Sequence, residues 1–129
     1  MKRAVATDRA AKAIGPYSQA IAAGPGRFVF TAGQIGLDPR TGQLVPGGVI
    51  AEFDRAMASV GAILEAAGAR LADVVKTTVF FADLTDFAAV NERYATYFQE
   101  PYPARSAVEA KALPRNARVE IEAVAVIAP

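Results

Sequence analysis

Between Val49 and Ala67 the apolar side chains Ile50, Phe53, Met57, Val60, Ile63, Leu64 and Ala67 recur at spacings of three and four. That period predicts an amphipathic helix from about Val49 to Ala67, closed by Gly68. A helix with a single apolar stripe must bury it against another element. The next segment supplies one: Val74 to Ala82 is rich in β-branched and aromatic residues and reads as a strand, apolar on both faces toward its end. A helix laid on a sheet is therefore the arrangement to which the rest of the chain has to conform.

The flanking segments extend that sheet. Ser18 to Ala23 and Arg27 to Ile35 are short strand candidates separated by Gly24-Pro25-Gly26, which reads as a hairpin turn. After Val74–Ala82, Asp83 or Thr85 can cap a second helix in which Phe87, Val90, Tyr94, Tyr97 and Phe98 share a stripe, with Pro101 and Pro103 stopping it. Arg105 to Lys111 and Arg118 to Ile127 close the chain as two strands. The order ββαβαββ predicts an α+β sandwich, with two helices on one face of a mixed sheet. No repeat or linker interrupts it, so residues 1–129 are expected to form a single domain.

Two helices cover only one sheet face. Hydrophobic residues make up 53% of the chain and its mean hydropathy is +0.22, a small polar inventory for a soluble monomer. A homo-oligomer with the bare sheet faces packed together is the expectation. The formal charge is +1 and the basic residues are scattered, which argues against nucleic acid as the main partner. No apolar run approaches a membrane span, and Lys2-Arg3 precede no signal-peptide core, so a cytoplasmic protein with no membrane partner is expected.

The chain contains no His and no Cys. Imidazole bases, thiolate nucleophiles and His- or Cys-ligated zinc are excluded, and no carboxylates fall at a metal-loop spacing, so metal-free chemistry is expected. Arg105, in Pro103-Ala104-Arg105-Ser106-Ala107-Val108, and Glu120, in Val119-Glu120-Ile121-Glu122, stand out as charges set among small or apolar residues in strand-like alternation. If these strands form a hairpin with Lys111 opposite Arg118, Glu120 faces Glu109 and Arg105 lies roughly 13 Å further along, a gap suited to a small ligand and a water. One reading is an anion clamp with a water-positioning carboxylate, since Arg offers a carboxylate two parallel donors. The other is a structural ion-pair network with Glu109, Arg118 and Glu122. Spacing alone leaves both open.

The run from Pro103 to Ile121 resembles the C-terminal signature of the reactive-intermediate deaminase family, known as Rid or YjgF: a small residue, Arg, an aliphatic position, and an aliphatic-Glu-Ile close. The similarity extends through Ala13-Ile14-Gly15-Pro16-Tyr17-Ser18-Gln19-Ala20, Gly33-Gln34-Ile35, Val75-Lys76-Thr77-Thr78-Val79-Phe80 and Asp86-Phe87-Ala88-Ala89-Val90-Asn91. The resemblance implies a chorismate-mutase-like fold, a homotrimer with sites in the clefts between subunits, and hydrolysis of 2-imino acids or their enamine tautomers to 2-keto acids and ammonia without a cofactor. The physiological role implied is control of damage by reactive metabolites. By position, Arg105 would bind the substrate carboxylate and Glu120 would hold the attacking water, while Tyr17, Gly33 and Asn91 would line the cleft. Without the resemblance, Tyr17 reads as an aromatic lid over the hairpin, Asn91 as a helix-surface amide and Gly33 as a plain bulge.

Two positions depart from the deaminating branch of that family. Ala32 stands where Ser is frequent, and Ala107 where Cys is frequent, although the Ala107 backbone N–H remains available to a substrate carboxylate. The helical stripe of Phe87, Tyr94, Tyr97 and Phe98 reads as core, and Lys76 as an ordinary strand lysine rather than a Schiff-base former. Two further functions compete: a non-catalytic trimer binding 2-keto acids or related carboxylates through Arg105, and a ribonuclease or chaperone-like protein, activities also ascribed to this family. RNA cleavage finds little support in a chain without His or a basic patch.

Overall fold

A computed structural model describes residues 2–129, and Met1 lies outside the described residues. Eight principal elements follow in order: β1 (Lys2–Val5), β2 (Ala20–Ala23), β3 (Arg27–Phe30), α1 (Val49–Ala66), β4 (Val74–Phe81), α2 (Phe87–Tyr94), β5 (Ala104–Glu109) and β6 (Val119–Ile127). The main sheet runs β3-β6-β4-β5 and is mixed, with β4 parallel to β5 and the other neighbours antiparallel. Both helices pack on one face of it, the α+β arrangement expected from the periodicities.

The long helix forms where the three-four spacing places it. Phe53, Ala56, Met57, Val60 and Leu64 are buried against Val79, Phe81, Ile121, Ala123 and Ala125 of β4 and β6. Its end is a Schellman turn: Gly68 adopts φ +86°, its N–H donates to Glu65 O at 3.0 Å, and Ala69 N–H donates to Leu64 O at 2.8 Å. The second helix is shorter than its apolar stripe. Asp83 caps a single turn, Leu84–Asp86, accepting from Thr85 N at 2.9 Å, and α2 follows directly. It stops at Tyr94 because the Thr96 hydroxyl and N–H both donate to the Arg93 carbonyl, at 2.7 and 3.1 Å. Tyr97 therefore packs from beyond the helix, edge-on to Phe53.

Two expectations about pairing fail. Ser18–Ala23 and Arg27–Ile35 do not form a hairpin: β2 pairs with β1 in a separate two-stranded sheet, while β3 pairs with β6. Gly24-Pro25-Gly26 turns the chain from one sheet into the other, a job compatible with the same turn chemistry. The last two strands are also not neighbours, because β4 lies between them. Arg105 pairs with Thr77, and Glu120 with Phe80. A β-rich core segment with two apolar faces is best placed in the middle of a sheet, and β4 takes that place.

Candidate active site

The register decides which way each candidate points. Arg105, Thr77 and Ala123 lie side by side on neighbouring strands, on the face covered by the helices. Glu120 lies beside Phe80, and the pleat turns both to the open face. Within one protomer Arg105 and Glu120 are thus on opposite sides of the sheet. This replaces the expected arrangement in which both project from one face of a hairpin.

Around Arg105 the helix-covered face opens into a cleft. Phe87, Asn91 and Tyr94 share one side of α2, four and three residues apart. Asn91 Oδ1 accepts a hydrogen bond from Arg105 Nη1. The guanidinium carbon lies 5.4 Å from the Phe87 ring centre, 5.1 Å from that of Tyr94 and 5.2 Å from that of Tyr17. These are cation–π distances. Tyr17 arrives because Ser18 is stitched to the free edge of β5: its N–H donates to Pro103 O at 3.2 Å, its hydroxyl donates to Tyr102 O, and it bridges Ala104 in parallel.

Arg105 is half-buried, and among the described residues the four ion pairs are Arg40–Asp38, Arg70–Asp73, Arg93–Asp54 and Arg118–Glu52. None includes Arg105 or Glu120, so the structural ion-pair network allowed by spacing is not what these residues form. Burial lowers the Arg105 pKa from its ordinary value, with Tyr94 and Tyr17 acting in the opposite direction. An arginine so far above neutrality stays charged. Burial also pushes Tyr94 up to about 12, against its hydrogen bond with Thr77 and the nearby Arg105 charge. Its neutral hydroxyl sits 2.8 Å from Thr77 Oγ1, so the ring next to Arg105 is fixed from behind.

The cleft has a volume of about 610 Å³ and is bounded by Ile14 and Tyr17 of the N-terminal segment, Leu84, Phe87 and Asn91 around the start of α2, and Arg105 and Ala107 of β5. A larger hollow, about 700 Å³, lies between Ala4 and Gln19. Its chemistry is poorer: the Gln19 amide is engaged by Thr7 and by the Ala11 carbonyl, and Asp8 and Lys12 are solvent-exposed. Just past the end of β5, Ala110 N–H donates to Phe81 O. Backbone alternation then aims the Ala107 N–H away from β4, along the strand's free edge.

On the other face, Glu120 abuts Gly33. The ladder pairs Phe30 with Val124 but Gln34 with Ile121, so four residues on one strand match three on the other and one is bulged. A Cβ at Gly33 would collide with the Glu120 carboxylate. The plain bulge and the close approach to Glu120 are thus one feature. This face also carries Phe28 and Phe30, 56% and 71% exposed and edge-on to each other. Lys76 donates to Ser106 Oγ at 3.1 Å, as a strand-surface lysine would.

Residues 7–127 match the profile of the family described as Endoribonuclease L-PSP, the family of Rid and YjgF. The chain belongs to that family. Over its full length it is 53% identical to the mouse 2-iminobutanoate/2-iminopropanoate deaminase and 50% identical to the human one, covering 94% and 93% of those proteins. Among solved Rid-family structures, the putative endoribonuclease of Thermotoga maritima is 51% identical with a TM-score of 0.75, covering 98% of both chains. Escherichia coli TdcF with bound serine is 41% identical with a TM-score of 0.73, covering 97% of this chain and 98% of that one.

Of the Rid-family positions read from sequence, the structure brings Arg105, Tyr17, Asn91 and Ala107 together in the cleft, and Gly33 with Glu120 on the opposite face. Phe87 and Tyr94 were expected to be core alone. Tyr94 is buried, yet its ring and that of Phe87 also flank Arg105. The signal lay in their spacing from Asn91, minus four and plus three, which puts all three on one helical face. Leu84 and Ile14 carried no such signal.

Proposed function

We propose that the protein hydrolyses 2-imino acids and their enamine tautomers to 2-keto acids and ammonia, working as a homotrimer whose sites lie between subunits. The observation that carries this reading is Arg105: a half-buried cation without a carboxylate partner among the described residues, held by Asn91 and three rings at the base of an open cleft. Such a group is an anion receptor of the right size for one carboxylate. The activity named for the mouse and human relatives supports the choice of an imino acid as the molecule carrying it.

The opposed faces support a site completed by assembly. Arg105 of one subunit is completed by Glu120 of the partner subunit, brought in on its open face, and burial of Phe28 and Phe30 favours the contact. Arg105 and the Ala107 N–H hold the substrate carboxylate, and Glu120 accepts a hydrogen bond from the attacking water. The water oxygen bonds to C2 of the protonated imine while the C=N π electrons move to nitrogen. Glu120 takes a water proton and returns it to the amine. The C–N bond then breaks, ammonia leaves, and loss of the remaining hydroxyl proton gives the keto group. Positioned proton transfer of this kind contributes ~10² to 10⁴ in rate. Gly33, by lacking a side chain, leaves Glu120 the room to hold its orientation.

The test generates 2-aminoacrylate in situ with a serine dehydratase in the presence of semicarbazide, and compares pyruvate formation by wild type, Arg105→Ala and Arg105→Lys. Wild type is expected to accelerate it and both variants to fail, because a point ammonium does not reproduce the planar fork. No acceleration by wild type, with 2-keto acids still bound in calorimetry, would make the protein a carboxylate-binding trimer instead.

A further inference from the structure

Two large apolar side chains stand at the mouth of the Arg105 cleft with nothing of this chain covering them: Ile14 is 91% exposed and Leu84 44%. The strongly exposed aromatics, Phe28 and Phe30, lie on the opposite sheet face, where the proposed assembly would cover them. Ile14 and Leu84 are not loose tips. The Ile14 N–H donates to the Tyr17 hydroxyl at 3.4 Å, which ties it to a ring that flanks the guanidinium. Leu84 N–H donates to Glu109 Oε1 at 2.8 Å, and Glu109 follows Ala107 on the same face of β5. Both apolar groups are therefore indexed to the strand that carries the anion receptor.

We infer that Ile14 and Leu84 form a side-chain subsite, so that among 2-imino acids those with aliphatic side chains longer than methyl are preferred and those with acidic side chains are disfavoured. This rests on the imine-hydrolase reading. Arg105 is the one charged group lining the cleft among the described residues, and the substrate carboxylate occupies it. A substrate anchored there directs its side chain along walls made of Ile14, Leu84 and Phe87. An acidic side chain meets no second cation on those walls, and the Glu109 carboxylate beyond Leu84 opposes it. An aliphatic chain removes apolar surface of Ile14 and Leu84 from water. Glu109 is a positioning residue here, since it acts on substrate through Leu84.

The experiment generates imines from alanine, 2-aminobutyrate, leucine and glutamate with amino-acid oxidases and catalase, and measures kcat/KM for each by loss of the semicarbazone. Wild type is expected to favour leucine over alanine and to turn over the glutamate imine least. Leu84→Ser and Ile14→Ser should each lower the leucine-to-alanine ratio about 10-fold, the scale at which a hydrophobic pocket discriminates. Leu84→Lys should raise the glutamate-to-alanine ratio. Glu109→Ala should lower the leucine-to-alanine ratio while Glu109→Gln, which keeps an acceptor for Leu84 N–H, restores it. A flat wild-type profile, or equal losses for every side chain in the Leu84 and Ile14 variants, overturns the subsite. If no imine is hydrolysed, the hydrolase reading itself fails; calorimetry with pyruvate, 2-oxobutyrate, 4-methyl-2-oxopentanoate and 2-oxoglutarate then decides the subsite, tighter binding of the branched acid supporting it and uniform binding overturning it.

Discussion

The two faces of the main sheet use the same alternation of side chains for different ends. On the helix-covered face, alternate residues of β4 and β6 are buried in one apolar cluster, and Arg105 enters at its margin only because β5 is an edge strand where α2 leaves a cleft. On the open face, Glu120, Glu122, Phe28 and Phe30 remain accessible, and a bulge at Gly33 makes room for one carboxylate. The first face is finished by the chain's own helices. The second leaves Phe28 and Phe30 exposed, and it is the surface on which the proposed assembly would form. Burial can thus be assigned face by face, and Arg105 and Glu120 each take the character of the side they occupy.

The strongest way to break this comparison is to spoil the open face alone. Phe30→Asp is expected to yield a monomer by light scattering at micromolar concentration and to abolish imine hydrolysis, while circular dichroism retains the native helix and strand signals. An active monomer would mean that Glu120 and Arg105 do not need two subunits. Glu120→Gln should leave assembly intact and lower kcat by ~10² to 10⁴; a drop of less than threefold would remove Glu120 from the chemistry. Gly33→Ala forces the Glu120 carboxylate to move, and displacement of about 1 Å at a catalytic group is expected to cost ~10² in kcat/KM with the oligomer unchanged. An undiminished rate in that variant would show the carboxylate's orientation to be unimportant.

On the covered face the effects are smaller and fall on stability. Tyr94→Phe keeps the ring near Arg105 but leaves the buried Thr77 hydroxyl without its 2.8 Å partner, at a cost of about 1–3 kcal/mol in chemical denaturation. The Tyr94 hydroxyl also gives a pH signature. Its pKa is raised from about 10 to about 12 in the folded state, so the neutral form is favoured by folding. That contribution is complete below the unfolded value of about 10 and is lost as pH rises toward 12. Alkaline destabilisation in this window should be reduced in Tyr94→Phe, and identical alkaline curves for the two proteins would contradict it.

Much of this was legible in the sequence where a local period governs structure. The α1 stripe, the apolar β4 and the short β5 and β6 runs each carry their own signal, and the family segments mark Arg105, Tyr17, Asn91 and Glu120. Partner choice between strands was not legible, because neither end of a strand records its neighbour. The β5–β6 hairpin was the shortest connection, yet burying Val79 and Phe81 from both sides requires β4 to be central, a demand visible only when all strands compete for one core. The strand β1 went unread because Lys2-Arg3-Ala4-Val5 is short and polar; it exists through its ladder to β2 and the Lys2 Nζ donation to Val74 O at 2.9 Å. Leu84 and Ile14 gave no packing signal for the converse reason: single apolar residues outside the long helices and strands have no period, although Ile14 stands in one of the family segments.

The ring of aromatics around Arg105 has an optical consequence. The chain has four tyrosines and no tryptophan, and Tyr17 and Tyr94 both stand within about 5 Å of the guanidinium. A carboxylate settling on Arg105 alters the field at two of the four tyrosines, with no indole emission to mask the change. Occupancy of the cleft can therefore be followed by intrinsic tyrosine fluorescence, without a label and without turnover.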